Sequence, residues 1–443
     1  MNATPPPATP PPATPPVDAL PADAPPLDAV VVGAGLAGLY QLYRLRELGL
    51  RTRVFEAGGD VGGTWYWNRY PGARCDIESM SYSFSFSPEL DQEWVWSEKY
   101  ATQPEILRYI HHVADRFALR GDITLNTRAT RAVYDEERHL WQLSTDTGES
   151  VTTRFLVMAS GCSSTVKDPG IPGADSFAGL LSAIPRSYTD ILVNEEANET
   201  VAAFIRSKIG AVVDDPRTAE RLSPRGFPFG TKRPCLDTGY YATYNKPQVT
   251  LVDLRETPIE EITPKGVRTA DGREHLLDVI VHATGFDAIT GSLLAPDIVG
   301  KGGVTLREKW ADGPVNQLGL VSAGFPNLFT VTGPLSPSVL TNMVVSIEQH
   351  VEWITDCVAH LRSNGITEID ATPEAEAAWT AHVAELASGT LYPAADSWYL
   401  GANVPGKPRV FLAYVGGADR HREACAASAR NGYTGFTLSG PPA

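Results

Sequence analysis

The feature that most constrains this chain is a glycine turn set between a strand pattern and a helix pattern. Residues 27–50 read LDAVVVGAGLAGLYQLYRLRELGL. Four apolar residues lead into Gly33-x-Gly35-x-x-Gly38, and Leu39, Leu42, Leu45 and Leu48 follow at helical spacing. RTRVFEA then reads as a second short strand ending near Glu56, eighteen residues beyond Gly38. Strand, turn, helix, strand and acid in this order predict a dinucleotide-binding βαβ unit, hence an α/β fold. Gly33 permits the tight turn, Gly35 lets the backbone approach a pyrophosphate, and Gly38 allows close helix–strand packing. The helix N-terminus offers free N–H groups and a positive dipole end to the phosphates. Glu56 stands where a carboxylate accepts ribose hydroxyls.

Charge and cysteine usage narrow the partners. Thirty-seven Lys and Arg against 52 Asp and Glu give a net charge of −15, which argues against nucleic acid and against an anionic membrane surface. The five cysteines are scattered without a CxxC pair, so neither a disulfide framework nor a cysteine zinc site is expected, and a reducing cytoplasm fits. The first 26 residues carry eleven prolines, and Arg44 is the first basic residue. This composition predicts a solvated, disordered tail rather than a secretory signal, with a ligand for a proline-reading domain as the alternative.

Further along, residues 58–86 are rich in glycine and aromatics and predict a structured loop, either a ring-binding wall or an aromatic patch packed on the core. Within it, Arg74 and Asp76 read on pattern alone as a structural pair more readily than a catalytic one. Residues 104–119 have helical periodicity, with His111 and His112 on the solvated side and no partner at metal-ligand spacing. Short strands follow through 122–161, the last ending in Ala-Ser-Gly and returning to the parent sheet. Residues 194–213 predict a helix, and QVTLVDL (248–254) and LLDVIVHATGF (276–286) read as buried parallel strands. Beyond a strand in FPNLFTVTGP come a helix over 342–361, another over 373–388, and a glycine-rich terminus.

Several long blocks resemble the Baeyer–Villiger monooxygenases, class B flavoproteins that include the phenylacetone, steroid and cyclohexanone enzymes. They are GAGLAG at 33–38, GGTWYWNRYPGARCDIES at 62–79, QPEILRYI at 103–110, GTKRP at 230–234, HATGFDAITG at 282–291, GFPNLF at 324–329, GPLSPSVLTNM at 333–343 and SWYLGANVPGKPR at 397–409. The resemblance covers residue 28 to the end. It implies FAD as cofactor, NADPH as reductant, and insertion of one oxygen of O₂ beside a ketone carbonyl to give an ester or lactone. Residue by residue, Gly33, Gly35, Gly38 and Glu56 would hold the ADP half of FAD. Thr64, Trp65, Asp76, Tyr82, Met343 and Trp398 would surround the flavin, and Lys232 would reach the phosphate end of NADP. Arg233 matches the family's essential arginine, a cation beside developing negative charge, with Asp76 to orient it. Without the resemblance, Lys232–Arg233 is a plain surface basic pair. Val339 and Leu340 would edge the pocket, apolar enough for a hydrophobic cyclic or aryl ketone.

One departure matters. The family carries two nucleotide folds, yet Gly33–Gly38 is the only GxGxxG in this chain. The family's FxGxxxHxxxW motif begins at Phe177-Ala178-Gly179 and then fails, with Ala183 in place of His and Ser187 in place of Trp. Only 51 positions separate Gly179 from Gly230, most of them claimed by helix and loop. The expected division is therefore a tail (1–27), a first FAD-binding part (28–176), a truncated NADP-binding and helical remnant (177–285), and a second FAD-binding part with a C-terminal loop (286–443). Without the second turn, NADPH binding is expected to be impaired and turnover weak, and the remnant is expected to expose a cut sheet. A flavin-binding remnant without catalysis, partnering an intact paralogue, is the alternative reading.

Overall fold

The computed structural model describes residues 25–162, 190–234, 237 and 239–441. The proline-rich tail up to residue 24 and the failed motif at 177–187 lie outside them.

Strand β1 (Leu27–Val32) runs parallel to β2 (Thr52–Phe55), and helix α1 (Leu36–Glu47) packs between them in sequence. The expected leucine stripe is the packing stripe: Leu39, Leu42 and Leu45 are fully buried. After α1 and β2, helix α2 (Gln103–Arg116) carries Pro104 in its first turn and buries Ile106, Tyr109, Ile110 and Val113. A short β3 (Ile123–Thr124) extends the parallel sheet beside β2. Strands β4 (Ala129–Asp135), β5 (Leu140–Thr145) and β6 (Ser150–Met158) then form an antiparallel meander. The second half of β6 pairs in parallel with β1, Val32 opposite Met158, so the strand ending in Ala-Ser-Gly does return to the parent sheet.

Residues 190–285 depart from expectation. Helix α3 (Glu195–Val212), capped by the Asn194 side chain, forms as predicted, with one-turn and two-turn helices after it. The two segments read as buried parallel strands do not form. Residues 248–254 contain no strand. Strands β7 (Ile259–Thr263), β8 (Gly266–Thr269) and β9 (Glu274–Leu276) build a small antiparallel sheet, and 277–285 has no strand at all. Val279 and Val281 are 74% and 81% exposed. A parallel strand is stable only when covered on both faces and paired through long crossovers. No described strand supplies those neighbours, so an apolar strand sequence is left outside any sheet among the described residues. The expected cut sheet is an exposed apolar segment instead.

The remainder rejoins the first part. Strand β10 (Asp297–Val299) adds to β4, and β11 (Leu328–Thr330) adds to β6. Helix α4 (Met343–Ser363) packs along α1. Strand β12 (Glu368–Ala371) and helix α5 (Pro373–Ser388) follow. The glycine-rich terminus holds an unexpected helix α6 (Ala418–Arg430) and strand β13 (Phe436–Ser439), which pairs with β12. Helix α6 buries His421, Cys425 and Ser428 rather than an aliphatic stripe, so its sequence carries little apolar periodicity. No helix among the described residues is long and apolar enough to cross a membrane.

Candidate functional site

The site begins where the glycine turn meets the ends of β2 and β6. Gly33 has φ +104°, and a Cβ there would lie 2.6 Å from the Ala159 carbonyl oxygen. A Cβ on Gly38 would lie 1.8 Å from the Gly33 carbonyl oxygen, so this glycine serves helix–turn packing and does not line the cavity. Gly35 faces a second glycine turn: its Cβ would meet Gly63 Cα at 3.3 Å, and Gly62 N–H donates to the Ala34 carbonyl at 3.0 Å. Gly62 and Gly63 have φ of +139° and +52°, conformations that exclude most side chains. Glu56 is buried, and its carboxylate accepts from Ala34 N–H and Gly58 N–H, each at 2.7 Å. It ties the two turns together while still lining the cavity.

Helix α1 starts at Gly35 with no side-chain cap and no acidic residue in its first turn. Its first N–H groups are thus left for an anion, and the dipole favours one. The cavity in front of it measures about 720 Å³ and runs from the glycine turns past Trp65 and Tyr82 to Arg233, Met343 and Trp398. A cleft of that size, with an uncapped helix start and a buried carboxylate at one end, fits an extended dinucleotide.

The second turn leads into a one-turn helix, Thr64–Trp67. Trp65 Nε1 donates to Tyr82 Oη at 3.0 Å, with the rings edge to face. The Trp65 carbonyl accepts from the Gln103 amide of α2. Burial pushes the Tyr82 phenol well above its ordinary range. The aromatic segment therefore does both things considered for it: it walls the cavity and packs on the core.

At the far end Arg233 Nε donates to Asp76 Oδ2 at 2.6 Å, Nη2 to Oδ1 at 3.0 Å, and Nη1 to the Val339 carbonyl at 2.7 Å. The pair is about one-third exposed and lines the cavity. Arg74 does not pair with Asp76. It reaches Glu98 at 3.2 Å, so these neighbours in sequence serve different partners. Lys232 turns away from the cavity and sits 4.7 Å over the Phe227 ring. Val339, Met343 and Trp398 line the cavity, whereas Leu340 packs behind it against the cluster containing Tyr399 and Leu412. His111 and His112 lie beside Asp60 and Glu93, and no metal-binding cluster occurs among the described residues.

Two features escaped the sequence reading. Cys75 and Cys162 line the cavity; burial pushes the Cys75 thiol up to about 12, which leaves it unreactive. Behind the wall, Thr332 has φ +53° and donates its N–H to His350 Nδ1 at 2.9 Å. His350 is fully buried on α4, and desolvation holds it well below the usual histidine range. Its ring lies 5.3 Å from that of His421 on α6. No local signal marks such a brace, because its partners come from three segments far apart in the chain.

Comparison with known proteins follows this geometry. A family model described as an NAD(P)-binding Rossmann-like domain matches residues 31–95. Acetone monooxygenase (methyl acetate-forming) from Gordonia sp. (strain TY-5) is 35% identical over 524 positions, covering 92% of this chain and 98% of its own. A Baeyer–Villiger monooxygenase from Pseudooceanicola batsensis is 34% identical, covering 91% and 95%. An oxidised steroid monooxygenase bound to NADP superposes with a TM-score of 0.87 at 42% identity, covering 94% of this chain and all of its own. The alignment of 524 positions is longer than the chain's 443 residues, so the acetone enzyme holds internal sequence that this chain lacks.

Proposed function

The chain belongs to the Baeyer–Villiger monooxygenase family, FAD-dependent enzymes that use NADPH, and from that premise we propose how its own site works. The glycine turns and the start of α1 would hold the pyrophosphate of FAD and the rest of the cavity would take its ring system, and the chain inserts one oxygen of O₂ beside the carbonyl of a hydrophobic ketone. NADPH serves it poorly as reductant. The observation that carries this reading is one complete nucleotide cradle opening onto an intact Arg233–Asp76 pair.

The residues divide the work by position. The uncapped helix start and the two glycine turns hold phosphate, and Glu56 holds the ribose. Trp65, Tyr82 and Met343 wall the ring system and keep water from it, with Trp398 over the cleft. When bound, FAD supplies the two-electron activation of O₂. Arg233 keeps a permanent positive charge where negative charge grows on the carbonyl oxygen under attack. Asp76 holds the guanidinium's plane by a two-point contact at the cavity wall. Val339 sets an apolar edge for the ketone, with Leu340 packed behind it. The division of the chain at residues 27, 176 and 285 is part of the same proposal. A cytosolic setting is supported by Cys75, Cys357 and Cys425 being free thiols, and the charge of −15 by itself speaks against nucleic acid.

Weak use of NADPH follows from what a missing cradle costs. Hydrogen bonds to a charged group contribute about 1.5–3 kcal/mol each, so losing two lowers affinity by roughly 10²–10⁴-fold. Lys232, the residue expected at the NADP phosphate, stacks on Phe227 instead. The test is a visible spectrum of the purified full chain supplied with FAD, followed by anaerobic additions. A flavin spectrum bleached at once by dithionite, and by NADPH at least about 100-fold more slowly than in a full-length relative, is expected. Protein that stays colourless with FAD removes the cofactor assignment. Bleaching by NADPH at the relative's rate removes the weak-reductant assignment.

A further inference from the structure

Resting on the reading of Arg233 as the charge beside the reacting carbonyl, we propose that His350 is a positioning residue. From the core it sets the bend 332–341, and with it the Val339 carbonyl that fixes Arg233.

The relay is continuous. His350 Nδ1 accepts from Thr332 N–H at 2.9 Å. The Thr332 carbonyl accepts from Ser338 Oγ at 3.2 Å. Ser338 opens the short helical turn Ser338–Leu340, and the carbonyl of its middle residue, Val339, accepts from Arg233 Nη1 at 2.7 Å. Asp76 grips the guanidinium along its Nε–Nη2 edge, and the bond to Val339 fixes the tilt about that edge. Thr332, Val339 and Thr341 also line the cavity, so a shift of the bend reaches both the arginine and the wall.

The bend cannot hold this shape by itself. Thr332, Leu335 and Ser338 have φ of +53°, +61° and +39°, left-handed conformations at non-glycine positions. Such conformations persist only where the surrounding bonds over-determine them. On the side away from the cavity, Leu335 N–H donates to the Leu412 carbonyl at 2.9 Å, and Trp379 Nε1 donates to the Leu335 carbonyl at 3.2 Å. The cavity side is tied by His350. Thr332 is buried, so its N–H needs a buried acceptor, and without one the residue must turn. The carbonyl that holds Ser338 belongs to the same residue and would move with it.

Histidine serves here through one atom. His350 is fully buried on α4, and among the described residues its ring makes one hydrogen bond, to Thr332. Nδ1 must be the acceptor, which a neutral imidazole provides with its proton on Nε2. The same helix lends Met343 and Ile347 to the cavity, so α4 both lines the site and braces its arginine.

The experiment uses the full chain with ¹⁵N-labelled arginine and reads solvent exchange of the Arg233 Nε–H, assigned by its disappearance in Arg233→Lys. His350→Phe keeps a ring without the acceptor, and His350→Asn puts an amide oxygen near the place of Nδ1. Ser338→Ala cuts the relay one step further on and leaves the core ring untouched. Exchange should quicken about tenfold in His350→Phe and Ser338→Ala, the worth of one buried hydrogen bond, and stay near the parent rate in His350→Asn. Parent rates in His350→Phe and Ser338→Ala would overturn the proposal. Equal quickening in His350→Phe and His350→Asn would also overturn it, since packing alone would then explain the effect. Should His350→Phe fail to fold, fast exchange in Ser338→Ala with a parent rate in His350→Asn upholds the relay, and any other pair of rates overturns it.

That readout needs neither flavin nor ketone. In a second arm, FAD-loaded chain is photoreduced without air, then mixed with O₂ and a panel of cyclic, aryl and linear ketones. Product per flavin oxidised should fall about tenfold in His350→Phe at unchanged FAD affinity, and recover in His350→Asn. An unchanged yield in His350→Phe would overturn the positioning role. No product from the parent chain, with the exchange rates as expected, would strike the oxygen-transfer reading and leave the relay standing.

Discussion

Asp76 and Arg233 lie 157 positions apart in the chain and meet in a two-point contact at the cavity wall. Both are about one-third exposed, so water screens their attraction and the pair adds little to stability. Its value is orientation. Asp76→Asn keeps the size and one acceptor but removes the charge and the symmetric hold, so the guanidinium should wander. The flavin spectrum and FAD affinity should stay as they are, while product formed per flavin oxidised falls by about tenfold, the worth of one charge-assisted hydrogen bond after screening. A loss of FAD binding in this variant would show that Asp76 supports the cofactor rather than the arginine. Local sequence made Gly33, Gly35 and Glu56 readable, because each obeys a rule within one turn or one strand. It could not distinguish Asp76 from Arg74, which sit in the same loop but face Arg233 and Glu98 respectively.

Helices α4 and α6 bring His350 and His421 together in the core, and each ring holds a backbone segment in a left-handed conformation. His350 accepts from Thr332 N–H, and His421 contacts the carbonyl of Leu318, whose φ is +59°. Burial lowers both pKa values, His421 to about 4. Because the folded values lie below the unfolded one, near 6.5, the neutral rings contribute fully above pH 6.5, and that contribution is lost as pH falls. Each histidine should remove about 1.4 kcal/mol of stability per pH unit between roughly 6 and 5. Urea midpoints measured at pH 7, 6 and 5 should drop accordingly, and His350→Gln should flatten the drop by about half. An unchanged slope in that variant would locate the acid sensitivity elsewhere. Element by element, the helices predicted from periodicity formed, since an aliphatic stripe is written in the sequence. Helix α6 was missed because it buries histidine, cysteine and serine, which leave no such stripe.

Across the whole molecule, the segment from Leu276 to Val281 is the place where sequence and fold disagree most. Leu276 ends β9, but it and Leu277, Val279 and Val281 are all exposed, and the three beyond β9 form an apolar run that lies in no strand. Burying such side chains between copies would contribute about 1.5–3 kcal/mol each, opposed by repulsion between molecules of charge −15. Self-association should therefore rise with salt, visible by sedimentation velocity between about 0.05 and 0.5 M NaCl, as the Debye length shrinks from about 14 to 4 Å. Val279→Ser with Val281→Ser should abolish the rise. A salt-independent monomer in the parent chain would remove this account of the patch.

Sequence alone determined the βαβ cradle, the acid at Glu56, the strand that returns through β6 and the absence of a second GxGxxG, because each is a short-range pattern of periodicity, steric tolerance or spacing. The resemblance to the family supplied the Arg233–Asp76 pairing, which the folded chain carries out. Only the tertiary structure decided that 248–254 and 277–285 are not strands, that Lys232 leaves the cavity, and that two core histidines brace its back wall. The physical reason is common to all three. A strand needs neighbours, a charge goes to the partner that best offsets its desolvation, and a buried imidazole needs a donor or acceptor from elsewhere in the chain; none of these is a property of the residue's own segment.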